Sequence, residues 1–337
     1  MEMRIRKAAT VAATMLMLMV FVQMNGSVGR YINAVKHGEA ALAFGTFRGF
    51  SEEEKQELYN TIVTEAETHY EPPINATIDR VWKAIPGYNG LAVDIDRTYE
   101  AALKMPLGSA IPYRYKEIEP EIGLGQLGSV PIYRGNSEKK MISFMINVAW
   151  GNEYLEPILH TLRQEGVKAT FFLDGSWLKN NVELAKQIQE DGHELSNHAY
   201  SHPDMRALGR EEQRGQIVKT ERLLKERLGV DNKWFAPPSG SYNDATVQIA
   251  REQGLMTVLW TIDTIDWRKP PAEAVLRKVR SKLEPGALIL MHPTATTRDS
   301  LAGMIDIARE KGLAIGTVSE TLSSKRTQPA VEQQNVI

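Results

Sequence analysis

Met141-Ile142-Ser143-Phe144-Met145-Ile146-Asn147 is an apolar run of strand length, and it opens the part of the chain that decides the fold. The amphipathic stretch Glu153 to Glu165 follows it, then a second apolar run, Lys168 to Leu173. The alternation continues: His193 to Asn197, Lys233 to Ala236, Met256 to Thr261, Ala287 to Met291 and Leu313 to Gly316 also read as strands. Between them Val182 to Asp191, Arg210 to Leu228, Asp244 to Gln253, Ala272 to Leu283 and Ser300 to Lys311 read as helices. Strands alternating with helices of this length predict an α/β architecture with a parallel sheet and right-handed crossovers. Seven such units close most readily as a distorted (β/α)7 barrel over residues 141–323.

Outward from the barrel, residues 108–140 are rich in Gly, Pro and charge and read as a linker. Before them, residues 30–107 read as a small α+β domain. Its helix runs from Ser51 to Tyr70, with Ser51 as N-cap and Glu54 at the capping-box position, and Pro72-Pro73 ends it. Strands at Thr77 to Lys83 and Gly90 to Asp94 flank a Pro-Gly turn, and Asp96 to Lys104 reads as a second helix. At the start, Arg4, Arg6 and Lys7 precede the uncharged run Ala8 to Val22. Residues 1–29 therefore predict a signal peptide or an N-terminal membrane anchor, with the rest of the chain extracytoplasmic, secreted or held at the outer face of the membrane. Residues 324–337 read as a polar tail.

Composition removes several function classes. The 337 residues carry a formal net charge of -2 with both signs interspersed, so no basic field exists for nucleic acid. With no cysteine, thiolate zinc sites, disulfide scaffolds and cysteine nucleophiles are excluded. Any metal must rest on His, Asp, Asn or water.

In a parallel barrel the side chains just past the strand C-termini gather at one face. The first strand delivers Asn147 there, the third His198 and His202, the fourth Pro237 and Pro238, the fifth Asp263, Asp266 and Trp267, and the sixth His292. Two imidazoles four residues apart suit one divalent ion, and equally suit two solvated or hydrogen-bonded side chains. His292, placed between Leu288-Ile289-Leu290-Met291 and Pro293, reads as a general acid or base. Asp263 and Asp266 read evenly as turn caps or site carboxylates, and Trp267 as rim packing or a sugar platform.

These residues carry a resemblance. Val167-Lys168-Ala169-Thr170-Phe171-Phe172-Leu173, the His-Ser-x-x-His-like element ending at His202, Pro237-Pro238-Ser239-Gly240-Ser241-Tyr242-Asn243, Asp263-Thr264-Ile265-Asp266-Trp267 and Leu290-Met291-His292 occur in one order. The chain from Met141 to about Ser323 resembles the polysaccharide deacetylase (NodB homology, carbohydrate esterase family four) domain. The resemblance implies a divalent metal, ordinarily zinc, that polarises an N-acetyl carbonyl and activates water. It implies His198 and His202 as metal ligands, His292 as the acid that protonates the leaving amine, and Asp263 or Asp266 as its orienting carboxylate. Pro238, Trp267 and Leu290 would border the substrate. The substrate class is then an N-acetylated amino-sugar polymer, with cell-wall peptidoglycan the natural candidate for an exported protein.

The resemblance breaks at the first motif. Where the family has Thr-Phe-Asp-Asp-Gly, this chain has Met145-Ile146-Asn147-Val148-Ala149-Trp150-Gly151, similar to a sporulation-associated variant, Thr-Phe-Asp-Ile-Ser-Trp-Gly. Asn147 takes the position of the catalytic base and Val148 that of the third metal ligand. An amide accepts no proton near neutral pH, and loss of a general base removes about 100-fold to 10,000-fold in rate. The arginine that pairs with the family's base is Ala236 here. Joint loss is physically coherent, because an arginine left without its partner would be a buried unpaired charge costing about 3 to 5 kcal/mol. Two expectations follow: a metal-dependent N-deacetylase with weakened or unconventional catalysis, or a catalytically inactive homologue that binds wall glycan or serves in assembly.

Overall fold

The structure, a computed structural model, describes residues 50–327. The leader expected over 1–29, residues 30–49 of the expected small domain, and all but the start of the polar tail lie outside the described residues. Among the described residues no helix is long and apolar enough to cross a membrane.

Contacts divide the described chain into two units whose boundaries differ from those expected: 50–68 groups with Val93–Tyr115, and His69–Ala92 groups with 116–327. In the first unit the helix Glu52–Ala66 starts at the Ser51–Glu54 capping box, both reciprocal bonds being present. A second helix, Ile95–Ala102, is capped by the Asp94 side chain on the Arg97 amide. Their apolar faces bury Ile62, Val93 and Ala102 together, with Leu58, Tyr99 and Tyr113 alongside.

In the second unit, β1 (Thr77–Asp79) and β2 (Lys83–Ile85) form an antiparallel hairpin. The single strand expected from Thr77 to Lys83 is broken because Asp79 Oδ1 accepts the amides of Val81 and Trp82, 2.7 Å each, and turns the chain. β3 (Gly90–Val93) pairs with β4 (Tyr115–Ile118).

The barrel begins at β5 (Met141–Val148). It continues through β6 (Thr170–Leu173), β7 (Glu194–Asn197), β8 (Trp234–Phe235), β9 (Met256–Thr257), β10 (Ile262–Asp263), β11 (Leu288–Met291) and β12 (Ala314–Gly316). The strands are parallel in the order β10-β11-β5-β6-β7-β8-β9, with β12 also pairing with β5. Each of the seven runs read as strands carries one, and β10 is an addition.

Alternation along β5 sorts its side chains between two layers. Ile142, Phe144, Ile146 and Val148 pack outward with Leu155, Ile158 and Leu162 of helix Asn152–Gln164, and with Leu301, Met304 and Ile305 of helix Ala295–Glu310. Met145 points inward, in a cluster with Phe172, Trp234, Ala236, Val258 and Leu288. Asn147, two residues on, shares that inward face.

β9 and β10 are not paired with each other, which leaves a seam in the curled sheet. Part of the stretch expected as a linker fills it. The Ile132 amide donates to Thr257 O (3.0 Å) and the Leu259 amide to Ile132 O (2.7 Å), while the Gly135 amide reaches Gly286 O (2.7 Å). The Ile132 side chain, 1% exposed, joins the inner cluster, a burial that contributes about 2 kcal/mol.

Candidate active site

Asn147, level with the end of β11, anchors the site. Ile146 is registered with Met291, so Asn147 stands beside His292 along the rim, and it is registered with Phe172 on the other side. It is 3% exposed, and its Oδ1 has no hydrogen-bond partner. A buried amide oxygen without a donor costs roughly 1 to 3 kcal/mol and marks a place where a ligand or ordered water supplies one. Val148, the next residue, is fully buried in the outer apolar layer.

His198 and His202 come together, with ring centroids 5.2 Å apart and planes at 67°. The loop that carries them turns through left-handed backbone at Ala199 (φ 61°) and His202 (φ 51°), uncommon for residues other than glycine. Helix Arg210–Leu228 straps it down. Thr220 Oγ1 donates to Ala199 O (2.7 Å), and Gln216 Oε1 accepts the amides of Tyr200 (2.9 Å) and Ser201 (3.0 Å). Asn197 is fully buried; its Oδ1 accepts the Ala199 amide (2.8 Å) and its Nδ2 donates to Ile217 O (3.0 Å) and Glu221 Oε1 (2.7 Å). His198 is buried and places Nδ1 2.7 Å from Ala236 O, which can only accept, so Nδ1 carries the proton and Nε2 keeps its lone pair. Burial, then the neighbouring imidazoles of His202 and His292, push its pKa down to about 3 against the pull of the Ala236 carbonyl. His198 is thus neutral, and His202 is exposed.

His292 stands on a buried carboxylate. Its Nδ1 lies 3.0 Å from Asp266 Oδ1 and its amide donates to Asp266 Oδ2 at 3.0 Å. Thr264 Oγ1 donates to Oδ1 (2.9 Å), and Thr294 and Thr297 hydroxyls reach Oδ2 at 2.9 and 3.1 Å. Burial alone would raise the Asp266 pKa, but hydrogen bonds from His292, Thr294 and Thr264 together with the imidazole charge outweigh it, and the net shift is downward. Asp266 is therefore ionised although fully buried.

The two aspartates divide their work. Asp263 Oδ1 accepts the Ile265 amide (2.8 Å), which helps hold Ile265 in a left-handed conformation (φ 57°). For a β-branched residue that geometry costs about 1 to 3 kcal/mol. The turn it makes swings Asp266 under His292, so of the two carboxylates Asp266 pairs with the imidazole and Asp263 shapes the turn.

At the rim, Trp150 lies parallel to His292, with ring centroids 6.0 Å apart and planes within 8°, and is 46% exposed. Gly151 permits the approach: at φ 85°, a Cβ there would sit 2.1 Å from Pro293 O. Trp267 is 48% exposed and carries the Arg268 guanidinium 4.7 Å from its ring centroid. Leu290 is buried next to Asp263 in register, and Pro238 is buried at the start of the turn Pro238–Gly240. Trp150, Asn197, Thr294 and Thr297 were not singled out from sequence. Only the Trp150-Gly151 pair carried a signal, as an aromatic residue before a glycine at a strand end.

A catalytic zinc takes three protein ligands and an open position. Here two imidazoles face each other, the residue at the third position is a valine in the apolar layer, and no group of three His, Asp or Glu side chains converges among the described residues. The donor set does not fit the resident metal that the resemblance implies.

Comparison with known proteins agrees with the fold. Residues 134–258 match the sequence profile of the polysaccharide deacetylase family. The chain is 47% identical over 272 residues to Uncharacterized protein YlxY of Bacillus subtilis, covering 81% of this chain and 85% of that one. It is 37% identical over 154 residues to a peptidoglycan-N-acetylglucosamine deacetylase of Bacillus cereus, covering 46% of this chain and 55% of that protein. Among solved structures, a CE4 family pseudoenzyme from Bacillus anthracis superposes with a TM-score of 0.74 at 44% identity, over 80% of this chain and 96% of that one. A mutant of that pseudoenzyme with restored enzymatic activity superposes equally well, with a TM-score of 0.74. The chain belongs to the polysaccharide deacetylase family.

Proposed function

We propose that this chain is an exported, catalytically silenced deacetylase-family protein that holds N-acetylated amino-sugar polymer, peptidoglycan above all, at the C-terminal rim of its barrel. The observation that carries this reading is that a buried asparagine, Asn147, its Oδ1 without a partner, stands where hydrolysis requires a base. Amide hydrolysis needs a group to take a proton from water, a charge to polarise the carbonyl, and an acid to protonate the departing amine. Asn147 cannot do the first, and the His198–His202 pair with Val148 beside Asn147 does not make the metal site that would do the second. Only the third survives, in Asp266–His292. Loss of the base alone removes about 100-fold to 10,000-fold in rate, which places turnover near background.

Exposed aromatic side chains at the rim support sugar binding. Trp150 and Trp267 are each about half exposed at the rim, and Leu290 and Pro238 line the strand ends behind them. An aromatic face is the usual partner of the apolar face of a pyranose ring. The similarity to peptidoglycan deacetylases favours wall glycan as the ligand. The basic residues before Ala8 to Val22 favour export, and that segment, if uncleaved, would tether the protein to the membrane.

A second reading is favoured by one observation, the intact Asp266–His292 pair: a slow N-deacetylase that still uses the acid. Co-sedimentation of the chain with purified peptidoglycan, with acetate assayed in the same tube, separates the two. Retention without acetate is expected. Failure to sediment would overturn the glycan reading, and acetate release that His292→Ala abolishes would establish the slow enzyme.

A further inference from the structure

We propose that the outer face of helix Ala272–Lys282, with the turn that leads into it, docks on an anionic lipid surface. It is the second attachment of a chain whose first is the apolar segment Ala8 to Val22. The inference rests on the export reading above, with that segment uncleaved, and is independent of glycan binding.

The helix has two unlike faces. Val275, Val279 and Leu283 are buried in the outer layer of the barrel core, and Leu276 packs against it. Arg277 and Lys278 lie on the opposite arc, Arg277 exposed and Lys278 half-buried, and Lys282 is exposed in the last turn. Just before the helix, Arg268 and Lys269 are exposed, and their placement is fixed. The Arg268 guanidinium sits 4.7 Å from the Trp267 ring centroid, and Lys269, in left-handed backbone at φ 56°, donates its amide to Asp266 O at 2.8 Å. Among the described residues none of these five cations makes an ion pair, whereas Arg280 of the same helix is held by Glu310 at 2.5 Å and Glu284 lies 3.7 Å from Arg134.

The helix dipole accounts for part of this pattern: a carboxylate in the first turn, Glu273, and cations in the last, Arg280 and Lys282. It does not account for Arg277 and Lys278 in the middle, and Arg268 and Lys269, ahead of its positive end, run against it. Between Trp267 and Glu284 six basic residues stand against two acidic ones, in a chain whose net charge is -2. The excess is therefore local to this face. A convex helix offers no groove to follow a polymer strand, and a row of cations along it is complementary to a planar anionic surface. Near such a surface each Lys or Arg strengthens attachment roughly fivefold, so five give on the order of a thousandfold. That alone is weak and reversible, but stable anchoring takes two signals, and a tether would hold the face near lipid at roughly millimolar effective concentration.

The test is acetylation footprinting of the full chain, mixed with vesicles of phosphatidylcholine alone or with one-third phosphatidylglycerol, and read at each lysine by mass spectrometry. Lys269, Lys278 and Lys282 should label severalfold more slowly on the anionic vesicles, while Lys219 and Lys225, exposed on helix Arg210–Leu228, should label equally on both. Molar salt should erase the difference, because it screens exposed charges. Arg277→Gln with Lys278→Gln keeps helix propensity; it should weaken docking about 25-fold and restore fast labelling at Lys269 and Lys282. Arg277→Lys with Lys278→Arg should keep the protection. Equal labelling on the two vesicles, or protection that survives the double glutamine change, would overturn the docking face. Protection by soluble polyphosphate and not by anionic vesicles would overturn the lipid assignment. Failure of the chain to float with neutral vesicles would overturn the tether, a result separate from the labelling of the helix.

Discussion

Asp266 and His292 grip each other twice: the imidazole Nδ1 lies 3.0 Å from Oδ1, and the backbone amide of the same histidine donates to Oδ2 at 3.0 Å. Thr264, Thr294 and Thr297 complete the carboxylate's shell, so a fully buried charge is solvated entirely by protein. Such a group stabilises only while every partner is present. Asp266→Asn replaces one acceptor oxygen with an NH2 donor in a shell made of donors, and it should lower unfolding free energy by about 3 kcal/mol. Urea denaturation followed by circular dichroism measures this; a loss within experimental scatter would mean that the shell is not closed as described.

His193 supplies a pH signature far from the site. It is 5% exposed, its Nδ1 accepts the Ala169 amide at 3.3 Å, and burial followed by the nearby Lys168 charge pushes its pKa from 6.5 down to about 4. The folded state therefore resists a proton that the unfolded state takes up readily. This contribution to stability is complete above about pH 6.5 and is lost as pH falls toward 4, amounting to about 2 to 3 kcal/mol. Urea midpoints at pH 7.5 and 4.5 should separate much further for the unaltered chain than for His193→Gln. Equal separations would show that His193 is hydrated in the folded protein.

Val148 tests the metal argument. Its side chain lies in the apolar layer with Ile146 and Leu155, so Val148→Asp buries a carboxylate with nothing to pair with and should lower the melting temperature sharply, by several kcal/mol of stability or more. A ligand bound by the folded state alone raises its melting point. The unaltered chain should melt at the same temperature with and without micromolar zinc. A zinc-dependent shift in the unaltered chain would show that two imidazoles hold the ion after all.

The barrel was legible because its signal is repeated: an apolar run of strand length followed by an amphipathic helix recurs along residues 141–316, and each of the seven runs carries a strand. β10, two residues long, has no period of its own and exists through its pairing with β11. Ile132 was hidden in a segment whose Gly and Pro content reads as linker, since a single apolar residue gives no periodicity to detect. The strand ends gave Asn147, the imidazole pair, Asp266 and His292, because parallel topology alone brings them to one rim. Sequence could not separate Asp263 from Asp266: which carboxylate turns inward depends on the left-handed backbone at Ile265. Nor could it show Trp150 against His292, a contact that requires Gly151 and Pro293 to meet.

The most direct test of a silenced site is acetate release from N-acetylated glycan by the unaltered chain, by His292→Ala and by Asn147→Asp, the last with zinc present. The unaltered chain and His292→Ala should be indistinguishable at background, while Asn147→Asp should rise above both by more than any other single change, up to about 100-fold for a restored general base. Turnover in the unaltered chain that disappears in His292→Ala would contradict the loss of catalysis at Asn147.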